Sequence, residues 1–236
     1  MPSATFAGRH IVVTGGTGAL GTAVAARLIA GGATCHIPNY AEGERAGFAL
    51  AGEDRVAVTP GVDLTDEDAV ARFYAALPGL WASVHIAGGF DMGPAVATSK
   101  AAFQTQMDMN ALTAFLCCRE AAKKMQAGKA GGRLLNVAAR PGVEPRTGAG
   151  MAAYTASKAA VAALTQALGE ELVGDDILVN AIAPSVLDTP GNRAAMPDAD
   201  PAKWAALDAV AETIAFLVSP ENTVTRGAVV PVYGKT

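Results

Sequence analysis

A doubly wound α/β fold, in which a parallel sheet is covered by helices on both faces, is what this sequence predicts. Three observations carry it. A short β-branched run opens onto a glycine-rich turn and then a helical pattern. Short apolar strands alternate with helices to the end of the chain, and no repeat, low-complexity tract or linker breaks that alternation. Right-handed crossovers between such units give parallel strands, with ligands expected at their carboxyl ends.

Taken in order, His10–Val13 reads as the first buried strand, and Thr14–Gly21 as the glycine turn leading into a helix through Ile29. Glycines let the backbone approach a pyrophosphate, and the helix N-terminus offers free N–H groups. Gly15, Thr17, Gly18, Ala19, Leu20 and Gly21 are therefore candidate cofactor-binding residues. Ala33–Ile37 is the second strand, ending at Asn39, the place where an acidic residue would bind the adenosine ribose. Asn can bond a 2′-hydroxyl without repelling a 2′-phosphate, and Arg45 is the nearest cation, so NAD and NADP both stay open. Val56–Thr59 is the third strand, and Val62–Asp66 leads to a helix over Glu67–Ala76. Val84–Gly89 reads as a fourth strand ending in glycines, where Gly88 and Gly89 again admit a ligand. Residues 100–126 are helical with Asn110 near the middle, Arg133–Val137 is the fifth strand, and Ala138–Gly150 a loop. Ile177–Ile182 is the sixth strand, residues 184–203 a loop long enough to cover a site, Trp204–Leu217 a helix, and Ala228–Val232 the last strand. The expectation is one Rossmann-type, three-layer domain over residues 1–236.

Composition narrows the function classes. Of 236 residues, 51% are hydrophobic and 17% charged, enough for a large core. A formal charge of −4 without a basic patch argues against nucleic acid and anionic membranes. Apolar runs fall short of the ~20 residues a span needs, and Met1–Thr5 lacks a leader pattern. Three cysteines, two of them adjacent (Cys117 and Cys118), make no disulfide framework, and the histidines have no ligand spacing. A cytoplasmic protein with no metal and a small-molecule substrate is expected.

Tyr154-Thr155-Ala156-Ser157-Lys158 opens an apolar helix, and the i to i+4 spacing puts phenol and ammonium on one face. Bringing a tyrosine from ~10 to ~7 takes about 4 kcal/mol. A unit charge at ~4 Å and an effective dielectric of ~20 supplies about that much. Tyr154 is the candidate proton donor and Lys158 its tuning cation.

With the glycine turn, Asp63, the Ala87-Gly88 pair, Asn110, Tyr154/Lys158 and the Asn180, Pro184, Thr189 stretch all in order, the chain resembles the short-chain dehydrogenase/reductase family over nearly its whole length. The resemblance implies an NAD(P)-dependent oxidoreductase in which Asp63 contacts the adenine and Leu64 also binds the cofactor. It implies that Asn110 joins Tyr154 and Lys158 as a catalytic residue by holding a water relay to Lys158. Thr189 is implied at the nicotinamide carboxamide, with Pro184, Tyr154 and Lys158 also touching the cofactor. Relatives pair through two long helices, here Ala101–Gln126 and Met151–Val173, which implies a homodimer or homotetramer.

The chain departs from the family at two places. The middle glycine of the loop falls on Ala19, with a glycine at Gly18 instead. The serine expected after the fifth strand is Ala139, which cannot donate a hydrogen bond; Arg140 and Thr147 are the candidate stand-ins. Dihydropteridine reductases look similar in their G-G-x-G-A-L-G loop, in lacking that serine, and over Leu187–Asp200. The function implied is hydride transfer to a small conjugated carbonyl, quinonoid or imine substrate. An ordinary ketone or 3-oxoacyl reductase and a non-catalytic dinucleotide sensor are the alternatives.

Overall fold

The computed structural model describes residues 6–41, 43 and 47–236. Arg45, and the Met1–Thr5 segment read for a leader, lie outside the described residues. Among the described residues seven parallel strands form one sheet: β1 His10–Thr14, β2 Thr34–Asn39, β3 Val56–Pro60, β4 Ala82–His85, β5 Gly132–Val137, β6 Ile177–Pro184 and β7 Val229–Val232. Their order is β3-β2-β1-β4-β5-β6-β7, so the chain reverses its direction of winding between β3 and β4. That reversal opens a crevice at the carboxyl ends of β1 and β4.

Among the described residues the helices are α1 Ala19–Ala30, α2 Glu67–Ala75, α3 Lys100–Gln106, α4 Thr113–Gly128, α5 Arg140–Val143, α6 Ala152–Glu171, α7 Pro190–Ala195 and α8 Leu207–Leu217. On one face of the sheet Leu20, Val24 and Leu28 of α1 pack with Val210 and Ile214 of α8. On the other, Val70 and Phe73 of α2 meet Leu116, Cys117 and Met125 of α4. Both faces of β6 are covered and all eight of its residues are buried, which is why its sequence runs apolar without alternation. Beneath the second face a buried polar chain links Tyr74 to Ser83, Ser83 and Asn136 to His85, and Asn136 to Thr165, so each of these buried groups has a partner.

Three expected boundaries move. β4 ends at His85 instead of continuing to Gly89; beyond it Ala87 N–H donates to the Thr14 hydroxyl and Gly89 bonds Asn110 through both its N–H and its carbonyl. The last helix starts at Leu207; Trp204 and Ala205 instead lie buried in the segment before it, where Ala205 bridges to Leu187. The segment between α3 and α4, Met107–Leu112, is a π-helical turn, an interruption that favours a functional position.

Candidate active site

The α6 helix begins at Ala152, so Tyr154 lies in its first turn and Lys158 one turn further in. Lys158 is 6% exposed and its Nζ donates to the Val137 carbonyl at the end of β5, at 2.8 Å. The ammonium stands 6.0 Å from the centre of the Tyr154 ring. The expected lowering of the tyrosine is not found. Burial pushes Tyr154 up to about 12 and Lys158 down to about 8. Desolvation disfavours both charged forms, and at this separation the cation does not offset it for the phenol. Tyr154 is thus fully protonated at neutral pH and holds the proton it would donate.

Asn110 is 1% exposed and sits within the π-helical turn. Its Nδ2 donates to the Gly89 carbonyl at 2.9 Å and its Oδ1 accepts from Gly89 N–H at 3.1 Å. A β-carbon on Gly88 would stand 2.5 Å from Asn110 Oδ1 and 3.4 Å from Lys158 Nζ. Gly88 is therefore the residue whose lack of a side chain lets Asn110 and Lys158 come together.

A cleft of about 770 Å³ runs along the same end of the sheet, lined by Gly15, Thr17–Gly21, Ile86–Gly88 and Thr189–Gly191. Gly15 has φ +64°, and a β-carbon there would stand 2.9 Å from Ala87 N, so only glycine allows β1 and β4 to approach at the switch point. Thr189 Oγ1 accepts from Asn192 N–H at 3.1 Å and caps α7. Asp63 Oδ1 accepts from the Thr65 N–H and hydroxyl. Leu64 packs its side chain on the second core, Gly89 is held by Asn110, and Pro184 is buried at the end of β6.

At the position of the absent serine, Ala139 is buried and precedes α5. Neither proposed stand-in is free. Arg140 Nε donates to Glu144 Oε2 at 2.9 Å and its guanidinium lies 4.8 Å from the Tyr233 ring centre. Thr147 is exposed and donates to the Glu144 carbonyl at 2.8 Å.

The profile of the short chain dehydrogenases matches residues 9–200. The chain belongs to that family. It is 32% identical over 245 aligned positions to a cis-4-hydroxycyclohexanecarboxylate dehydrogenase of Sinomonas cyclohexanicum, covering 97% of this chain and 96% of that protein. It is 33% identical over 186 residues to a sorbitol dehydrogenase of Cereibacter sphaeroides, covering 77% and 71%. A short-chain type dehydrogenase/reductase from Mycobacterium ulcerans superposes with a TM-score of 0.89 at 27% identity, over 98% of this chain and 90% of that one. This short-chain dehydrogenase is accordingly an NAD(P)-dependent oxidoreductase.

The residues present fit such a cofactor. The α1 N-terminus has no side-chain cap and no acidic residue in its first turn, leaving N–H groups for a pyrophosphate. Asn39, 2% exposed at the end of β2, gives its Nδ2 to the Ala41 carbonyl at 2.6 Å, while its Oδ1 is buried without a partner.

Sequence reasoning missed two parts of this short-chain dehydrogenase site. Ile86, Pro190 and Gly191 line the cleft beside the residues expected there. Phe90, which is 58% exposed, stands edge-on to Tyr154 with ring centres 4.9 Å apart. Its signal was present: a large aromatic directly after the Gly88-Gly89 pair. A separate hollow of about 130 Å³ lies nearby, lined by Asp91–Gly93, Gln106 and Met151–Ala153 among others.

Proposed function

We propose that the protein transfers hydride between nicotinamide cofactor and a small conjugated carbonyl, quinonoid or imine substrate, with Tyr154 as proton donor. The observation that carries this reading is Ala139, a buried apolar residue where a polarising hydroxyl belongs, with Arg140 and Thr147 both committed to other partners. The bound cofactor supplies the hydride. Lys158 holds a positive charge behind the phenol, and Asn110 holds the β4 end so that Gly88 stays against Lys158. Asn110 also carries the water relay to Lys158. A substrate that is conjugated and readily protonated needs less polarisation of one oxygen, so a single hydroxyl donor suffices. Phe90 offers such a flat molecule an apolar ring beside Tyr154. The resemblance of the Leu187–Asp200 stretch to dihydropteridine reductases favours the same class, and residues 184–203 form the covering loop.

The cofactor reading is NAD in preference to NADP. The unpartnered Asn39 Oδ1 calls for a donor, which a ribose 2′-hydroxyl is and a 2′-phosphate is not. Exposed Phe103, Leu112 and Phe115 on the long helical segment support pairing of copies as a homodimer or homotetramer.

The two curated relatives act, by name, on hydroxylated compounds, which favours an ordinary ketone reductase as the second reading. Oxidation of NADH and NADPH assayed side by side with quinonoid dihydropterin and with simple cyclic ketones separates them. Turnover of ketones alone would overturn the first reading. Cofactor binding without turnover of any probe would indicate a sensor.

A further inference from the structure

Tyr233 follows β7 and stands apart from the Tyr154–Lys158 pair, yet its ring is engaged. Its ring receives the Arg140 guanidinium, and Arg140 in turn donates to Glu144. Arg140 and Glu144 bracket the α5 turn, and that turn is pressed onto α6. A β-carbon on Gly142 would stand 2.7 Å from the Lys158 backbone carbon and 2.8 Å from its oxygen. Whatever holds Arg140 and Glu144 therefore holds a turn seated directly on Lys158.

The next two residues reach the covering loop. Lys235 N–H donates to the Lys203 carbonyl at 2.8 Å. Gly234 has φ +64°, and a β-carbon there would stand 2.8 Å from Lys203 O and from Trp204 C. Ala205, next along, donates to the Val186 carbonyl at 2.9 Å and accepts from Asp188 N–H at 3.0 Å, immediately before Thr189. Three consecutive residues thus tie the turn that carries Ala139 at its start to the loop that carries Thr189. An exposed ion pair contributes little by itself, and adding a cation–ring contact makes it modest. The importance of this cluster lies in what it joins.

We propose that Tyr233 is a positioning residue: through Arg140 and Glu144 on one side and Gly234 and Lys235 on the other, it fixes the covering loop relative to Lys158 and so sets the width of the substrate opening. The kinetic readout rests on the hydride-transfer reading above. With the tie cut, the loop spends less of its time closed, and the apparent substrate affinity falls by the closed fraction. A closed fraction near ~0.1 raises KM about tenfold and leaves kcat at saturation unchanged. Cofactor affinity changes by less than about twofold, because the β1–α1 turn holds the phosphates.

The test compares Tyr233→Ala, Tyr233→Phe and Glu144→Gln with the wild-type enzyme. Expected are a KM raised about tenfold in Tyr233→Ala and less in Tyr233→Phe, which keeps the ring under Arg140. Acrylamide quenching of Trp204, isolated by subtracting a Trp204→Phe background, should rise in the same order. A fall in melting temperature with KM unmoved, or a cofactor Kd raised as much as KM, would overturn the proposal. Should no probe substrate be turned over by the wild-type protein, the functional reading fails separately. Trp204 quenching then decides alone, and accessibility unchanged in Tyr233→Ala sinks the tie.

Discussion

Lys158 Nζ is bound to the Val137 carbonyl at 2.8 Å while standing 6.0 Å from the Tyr154 ring centre. The lysine is thus anchored to the end of β5 and faces the tyrosine from behind. Its charge is held in place by the sheet and not by the phenol it serves, so the two can be perturbed separately.

Replacing Tyr154 by Phe removes the proton and leaves the ring against Phe90. Turnover should fall by about 10²–10⁴-fold, the range for loss of a general acid. Cofactor Kd, measured by fluorescence titration, should stay within about twofold. Retained turnover would exclude Tyr154 as the donor.

Burial of Lys158 has a consequence for stability. Its value falls from 10.5 to about 8 on folding, so between those pH values the unfolded chain binds more protons than the folded one. Stability should therefore rise as pH increases from about 8 towards 10.5. Tyr154 acts in the opposite sense, since it is raised from 10.0 to about 12 and its contribution is lost as pH climbs through that interval. Urea titrations at several pH values should show the rise in the wild-type protein and its absence in Lys158→Met. A rise that persists in Lys158→Met would assign it to another group.

Asn39 offers an acceptor without a donor. Calorimetric titration should find NADH bound at least about tenfold more tightly than NADPH, a difference of roughly 1.4 kcal/mol. Asn39→Asp should strengthen that preference by placing a negative charge against the extra phosphate. Equal or tighter binding of NADPH would remove Asn39 as the determinant.

Gly88→Ala would drive a methyl group into Asn110 Oδ1 and towards Lys158 Nζ. Overpacking of this kind costs about 1–3 kcal/mol. The displaced pair should also lower kcat/KM by more than about tenfold, since positioning errors near ~1 Å can cost ~10². Equilibrium unfolding and steady-state kinetics on the same sample check both halves.

The order of strands and helices, the glycine turn and the Tyr154–Lys158 spacing were legible in the sequence because each is written in neighbouring residues. A buried strand must run apolar, a helix N-terminus that receives phosphate must lack side chains in the way, and residues four apart on a helix share a face. The absence of the serine was legible too, as Ala139. What the chain does about it was not. Arg140 and Thr147 lie in the right loop, but Glu144 takes both, and Tyr233, far along the sequence, completes the arrangement. The end of β4 was not legible for the same reason: the partners of Ala87 and Gly89 are side chains far away in sequence, the Thr14 hydroxyl and Asn110.

The pKa of Tyr154 shows the division most clearly. Sequence by itself determined that a cation would stand one helical turn from the phenol. Only the tertiary structure decided how deeply both were buried and that the lysine would spend a hydrogen bond on Val137. Charge–charge attraction follows from spacing along a helix, whereas desolvation depends on everything that folds over the pair. Here desolvation wins.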